Sequence, residues 1–263
     1  MSDTKIEWAE KSWNPVTGCS HAGSPGCDHC YARRMAVRLA ANPKVEHRER
    51  YDGFKVSLWP ERLTEPLKWR KPKRVFVCSM GDLFHPGVPF EIVDDVVRIV
   101  RMTERHIFLM LTKRPQIMAE YFDTWNGRVK NGNWPTRNLW LGVTVEMPDQ
   151  LWRVDKLLQI PAAVRFVSYE PALAPVDLSP YLPIRCCSGH ECGCMGLPIN
   201  PPPYLDWVIS GCETGSGARP MSPDWARSLR DQCQEAGVPF FLKKLTPQGD
   251  RELDGNIWEE FPI

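Results

Sequence analysis

The stretch Thr17-Gly18-Cys19-Ser20-His21-Ala22-Gly23-Ser24-Pro25-Gly26-Cys27-Asp28-His29-Cys30-Tyr31-Ala32 carries three thiols separated by seven and two residues. A cysteine binds metal as the thiolate, which persists only beside a metal or positive charge. Gly18, Gly23, Pro25 and Gly26 let the segment curl, so that the three sulfurs can face one region. Three thiolates from one loop can hold three corners of a cubane iron–sulfur cluster and leave the fourth iron open. Clusters dedicated to electron transfer normally take four protein ligands, so three ligands suggest a cluster that binds something. The same cysteines with His21 or His29 also read as a structural zinc site. Residue types alone support both.

A second concentration of ligand-type residues is Cys186-Cys187-Ser188-Gly189-His190-Glu191-Cys192-Gly193-Cys194. Cys186, Cys187, Cys192 and Cys194 are candidates for a second metal, although adjacent cysteines chelate one centre awkwardly. Cys78, Cys212 and Cys233 fall on or beside predicted elements and read as small buried apolar groups. Ten cysteines with no export signal point to metal or redox chemistry in a reducing compartment, not to disulfides. No clustered histidine motif suggests a metal-dependent hydrolase or nuclease.

These residues must be positioned by a scaffold, and its rhythm is visible. Short apolar runs (Trp13 to Thr17, Arg74 to Cys78, His106 to Leu111, Leu139 to Val143, Arg165 to Ser168, Trp207 to Ser210, Pro239 to Leu242) read as buried strands. Between them lie helical segments: Tyr31 to Ala41, Pro89 to Met102, Pro115 to Phe122, Pro148 to Leu158 and Pro223 to Ala236. Pro89 to Met102 sets Val93, Val96, Val97 and Val100 on one stripe. Four of the five begin with proline, which suits a first helical turn. Ser222 and Gly237 suit the two caps of the last. Strand–helix alternation of this kind predicts an α/β fold with a parallel sheet, here a partial (β/α) barrel of about six strands. A chain of 263 residues suits a single domain over 1–263, with a basic insertion at 42–73 and a Cys/Pro-rich insertion at 174–205. The cysteine loop follows the first strand, at the end where ligands gather in such folds.

Composition narrows the class. Charged residues at 25% and apolar ones at 43% exclude wholesale disorder. The longest apolar run, Ile107 to Leu111, is far below the roughly 20 residues a membrane span needs. The polar start is unlike a signal peptide, so a cytoplasmic protein with no membrane partner is expected. Net charge is +1, yet residues 31–75 hold thirteen Lys or Arg against five acids, a local +8. There, His47-Arg48-Glu49-Arg50-Tyr51 and Trp69-Arg70-Lys71-Pro72-Lys73-Arg74 interleave cations with rings, a pattern compatible with nucleic acid or with a solvated face.

Cys27-Asp28-His29-Cys30-Tyr31-Ala32 resembles the Cys-x-x-Cys-Tyr-Ala signature of radical S-adenosylmethionine (SAM) enzymes. Trp13-Asn14-Pro15-Val16-Thr17-Gly18-Cys19 resembles, more closely, a phage- and bacteria-encoded three-cysteine-motif family of uncharacterised function. That likeness continues through Ser79-Met80-Gly81-Asp82-Leu83-Phe84-His85, Leu111-Thr112-Lys113-Arg114-Pro115, Ser168-Tyr169-Glu170-Pro171 and Gly211-Cys212-Glu213-Thr214-Gly215-Ser216-Gly217-Ala218-Arg219-Pro220. The seven residues between Cys19 and Cys27 depart from the commonest radical SAM spacing of three, and His29 stands where an aromatic is usual.

The resemblance implies a [4Fe-4S] cluster on Cys19, Cys27 and Cys30, with SAM chelating the open iron. It implies reductive cleavage of SAM and hydrogen abstraction from an unidentified substrate, with a nucleic-acid base the candidate class, and a reductant protein as electron donor. Ser79 and Asp82 would then offer acceptors to the methionyl ammonium. Lys113 and Arg114 would pair a carboxylate or phosphate. Thr144, Glu146, Ser168 and Glu170 would bond ribose hydroxyls, and Gly211, Glu213 and Arg219 would line an adenine or methionine pocket. The competing expectation is a non-enzymatic zinc-binding module that contacts nucleic acid or a partner protein.

Overall fold

A computed structural model describes residues 4–128, 135–185 and 202–262. The cysteines at 186, 187, 192 and 194 lie outside the described residues. The chain divides into two compact units, Met1–Val143 with Ile160–Ala163, and Thr144–Gln159 with Val164–Ile263.

In the first unit the order is β1 (Lys11–Trp13), β2 (Val16–Thr17), α1 (Tyr31–Ala41), β3 (Ser57–Leu58), β4 (Arg74–Val77), α2 (Phe90–Met102), β5 (Ile107–Thr112), α3 (Pro115–Arg128) and β6 (Leu139–Thr144). Strands β1, β4, β5 and β6 are parallel neighbours, with Trp13 level with Val77, Val77 with Met110 and Met110 with Leu141. Their carboxyl ends therefore finish together. The predicted stripe of α2 (Val93, Val96, Val97, Val100) is buried, each side chain stabilising the unit by about 1.5–3 kcal/mol relative to exposure.

The expected strand from Trp13 to Thr17 is broken in two. Pro15 has no N–H for the ladder, and beyond it β2 leaves β1 to pair antiparallel with β3, with Val16 opposite Leu58. This departure turns the chain out of the parallel ladder immediately before the cysteine loop.

In the second unit the order is α4 (Trp152–Leu158), β7 (Val164–Tyr169), β8 (Trp207–Gly211), α5 (Pro223–Ala236), β9 (Phe240–Lys244) and a hairpin of β10 (Glu252–Leu253) and β11 (Asn256–Ile257). β7, β8 and β9 are parallel, with a register shift at Ser210/Gly211. Ser222 caps α5 by accepting from the Asp224 N–H, and Gly237 ends it at a φ of 65°. The helix expected from Pro148 begins as a 3-10 turn, Pro148–Gln150, before α4. Across the chain seven parallel strands carry the helices between them. The fold is α/β, of the partial-barrel kind expected, with seven parallel strands among the described residues.

The basic stretch folds inward more than its composition suggested. Trp59 is buried and donates from Nε1 to Thr17 Oγ1 at 2.7 Å. The Arg62 guanidinium lies 3.5 Å from its ring centroid and Arg50 lies at 4.8 Å. Arg62 also donates to Tyr51 Oη at 3.0 Å, and Arg50 pairs with Glu61 at 2.7 Å. Tyr51 and Trp69 are themselves buried, Trp69 edge-on to His106. The rings that would stack on bases, Tyr51 and Trp69, are therefore core residues, and Trp59 beside them is clamped by Arg62 and Arg50. Lys44, Arg48, Lys55, Lys68, Arg70 and Lys71 remain exposed.

His106, at the entry to β5, is wholly buried among apolar neighbours and faces the Pro66 carbonyl from Nε2 at 3.3 Å. Burial, with Arg105 adding, pushes its pKa below the ordinary histidine value. The unfolded chain then takes up the proton first, so stability is complete above about pH 6.5 and declines as pH falls below it. We expect the urea midpoint to drop between about pH 7 and 5, and His106→Asn to flatten part of that slope. An unchanged slope in the variant contradicts the assignment.

Candidate functional site

Gly18 closes β2 at a φ of +83°, which L side chains rarely adopt, and a Cβ there would lie 1.9 Å from the Lys55 carbonyl oxygen. Its N–H donates to Met80 O at 2.8 Å, and it bridges Gly81 in the loop after β4. The N–H of the next residue, Cys19, donates to Phe54 O at 3.0 Å. The first thiol is thus fixed by backbone contacts to two other segments. The other two arise from a single turn. Cys27 ends the 3-10 turn Pro25–Cys27, its N–H donating to Ser24 O at 2.8 Å, and Cys30 is the N-cap residue of α1. All three thiols are half-buried, and Cys19 and Cys30 pack on the cluster formed by Ala32, Ala36, Tyr51, Phe54 and Trp59.

Two consecutive cations after β5 reach these sulfurs. Arg114 donates from Nη1 to Cys19 Sγ at 3.3 Å, and Lys113 Nζ lies 3.9 Å from Cys27 Sγ. The Arg114 guanidinium also donates to Asp82 Oδ2 at 3.0 Å and to Ser20 O at 3.0 Å. Asp82 is buried and accepts from the Thr112 hydroxyl at 2.8 Å and from the Phe84 N–H at 3.0 Å. Burial pushes the Cys19 thiol up, Asp82 adds to that, and Arg114 opposes both. Burial also works against the charge on Arg114, but Asp82 and Cys19 more than offset it and hold the guanidinium protonated. A metal at Cys19 would relieve the thiolate of its desolvation, while Arg114 already supplies it a charge-assisted donor.

Among the described residues, no three His, Cys, Asp or Glu side chains converge on a point that would hold a single ion. His21, one expected fourth zinc ligand, uses both ring nitrogens within the loop: Nε2 faces Asp28 Oδ1 at 2.9 Å and Nδ1 accepts from Gly23 N–H at 3.0 Å. A lone zinc needs every ligand atom about 2.0–2.3 Å from one centre. A cubane takes each thiolate on a different iron, so its ligands stand farther apart. The donors present around this loop are three cysteines, with Arg114 and Lys113 reaching two of their sulfurs and His21 already engaged.

Ser79 and Asp82 both lie in the loop that follows β4. Ser79 Oγ donates to Asn14 Oδ1 at 3.3 Å, which also accepts the Met80 N–H at 2.9 Å, and the Tyr31 hydroxyl donates to Ser79 O. Asp82 faces Thr112 and Arg114. Asn14, Tyr31 and Thr112 were not singled out as site residues. Each lies inside a recognised motif, but only the fold shows what it touches. Cys78 is buried, its thiol pushed up to about 12 by burial, consistent with a core role.

In the second unit the expected strand-end residues form three separate arrangements. Thr144, the last residue of β6, accepts through its carbonyl from Arg153 at 2.8 Å, and buried Glu146 faces Gln150, whose Nε2 donates to Oε2 at 3.4 Å. Glu170 pairs with Lys243 at 2.9 Å and accepts from Ser168 Oγ at 3.2 Å; a Cβ on Gly211 would lie 2.6 Å from its Oε1. Buried Glu213 takes the Arg219 guanidinium on both oxygens, the Nε bond being 2.9 Å. Each of these three glutamates has a partner of its own: Gln150 for Glu146, Lys243 for Glu170 and Arg219 for Glu213. Gln150, Arg153 and Lys243 are not marked out by the sequence, and Lys243 in particular looks like an ordinary residue at the end of Phe240–Lys244.

The packing at Gly18 gives a direct test. Gly18→Ala forces a side chain against the Lys55 carbonyl in a disfavoured backbone region and should cost more than about 2 kcal/mol. Denaturant melts measure it, and a loss under about 0.5 kcal/mol contradicts the described crossing.

Residues 3–262 match the family described as "Protein of unknown function (DUF5131)". No curated protein shows significant similarity to the chain. Among solved structures, the chain is similar to "Spore photoproduct lyase complexed with dinucleoside spore photoproduct", with a TM-score of 0.47 and 11% identity over 96% of this chain. It spans 65% of the length of that protein. With the family match running almost end to end, the chain belongs to the DUF5131 family of proteins of unknown function.

Proposed function

We propose that the protein is a radical SAM-like enzyme in which Cys19, Cys27 and Cys30 hold a [4Fe-4S] cluster with one iron left for SAM. The observation that carries this reading is the approach of Arg114 and Lys113, from the end of β5, to the sulfurs of Cys19 and Cys27. Bound there and reduced, such a cluster supplies the electron for reductive cleavage of SAM and thereby the means of hydrogen abstraction.

The chain's own residues have distinct parts. Cys30, at the start of α1, gains from the helix dipole, which favours negative charge at that end. The Trp59–Arg62 stack and the apolar cluster beneath Cys19 and Cys30 exclude water from one side of the loop. Asp82 is committed to Thr112, Phe84 and Arg114, which leaves Ser79 and the backbone carbonyls of its loop as the acceptors for an ammonium. The exposed cations of the basic stretch would bring an anionic substrate near without stacking it, because Tyr51 and Trp69 are buried.

Anaerobic reconstitution with iron and sulfide tests the proposal. The expected result is a brown protein with about four irons per chain that cleaves SAM when reduced. Cys27→Ala should lose the colour, whereas Cys233→Ala, in the buried face of α5, should keep it. Colourless protein with stoichiometric zinc, or equal loss in both variants, overturns it.

A further inference from the structure

We propose that Asp82 and Arg114 form a charge couple that sets the reduction potential of the group held at Cys19. This rests on the cluster reading above. Arg114 Nη1 stands 3.3 Å from Cys19 Sγ and 3.0 Å from Asp82 Oδ2, so one guanidinium nitrogen faces the ligand sulfur and a carboxylate together. Both partners are buried, with side-chain exposures of 10% and 8%. At such depth neither charge is screened as a surface charge would be.

The contacts around the couple hold it in place independently of the sulfur. Arg114 Nη2 donates to Ser20 O at 3.0 Å and Ser20 Oγ at 3.2 Å, while the Thr112 hydroxyl reaches both oxygens of Asp82, at 2.8 and 3.0 Å. Cys27 is approached by the more distant Lys113 ammonium, at 3.9 Å. The three ligands are therefore electrostatically unequal, with Cys19 the one directly hydrogen-bonded to a buried cation.

Reduction of an iron–sulfur group adds negative charge, so its potential depends on net charge nearby and on hydrogen bonds to the sulfurs. Arg114 does both and stabilises the reduced form. Asp82 draws on the same guanidinium and adds a negative charge, which opposes reduction. The two residues act in opposite senses, and each is a positioning residue that acts through Cys19.

Redox titration of the reconstituted protein, followed by its visible and EPR signals, reads this directly. At the wild-type midpoint, Arg114→Gln should lower the ratio of reduced to oxidised cluster about tenfold, equivalent to about 59 mV for a one-electron couple. Asp82→Asn keeps the oxygen that accepts from Thr112 and Phe84, and should raise the ratio instead. The double variant should lie close to wild type. Shifts of the same sign in the two single variants, or no shift in either at unchanged iron content, overturn the proposal while leaving the cluster reading intact. If Arg114→Gln takes up no iron, Asp82→Asn decides alone, and a midpoint at or below wild type overturns the proposal. Wild-type protein that takes up no cluster overturns both readings.

Discussion

A buried guanidinium has to be paired on every side, and the pairing of Arg114 ties together the parts of the first unit that matter for chemistry. One side chain from the end of β5 meets the carboxylate after β4, the sulfur of Cys19 and the backbone of Ser20. Removing one member of such a set strands a charge in a poorly solvated place, which typically costs several kcal/mol. The couple is therefore a structural constraint as well as an electrostatic one. It fixes where the first sulfur lies relative to β4 and β5.

The loop reaches that position because β2 breaks away from the parallel ladder. Pro15 interrupts the first strand, β2 pairs with β3, and Gly18 passes so close to Lys55 that no side chain is tolerated. Cys19 is then pinned by Phe54, while Cys27 and Cys30 come from a short turn that runs directly into α1. The basic segment supports this loop from below. Trp59, held by Thr17 and covered by Arg62, makes this part of the basic segment the loop's foundation.

Much of this was legible in the sequence. Apolar runs of four to six residues alternating with helical segments announced the parallel α/β fold, and α5 kept its predicted bounds because its ends carry the local signals Ser222 and Gly237. The three thiols were legible from spacing and glycine content. What sequence could not reveal is direction. Whether Tyr51 and Trp69 face solvent or core depends on which side of the segment packs on α1 and β2, and no local pattern encodes that. Likewise the charge at Asp82 was visible, but its choice of Thr112 and Arg114 as partners depends on the register of β4 against β5. Lys243 became a site candidate only when β8 and β9 brought it to Glu170.

The proposed function requires that a cluster held by Cys19, Cys27 and Cys30 leave one iron free of any protein side chain. The most direct measurement is the EPR spectrum of the reduced, reconstituted protein recorded with and without SAM. The account predicts that SAM changes the cluster signal, because its amino and carboxylate groups become ligands of that iron. A cluster signal identical in the two samples, with SAM shown to be present in excess, contradicts it.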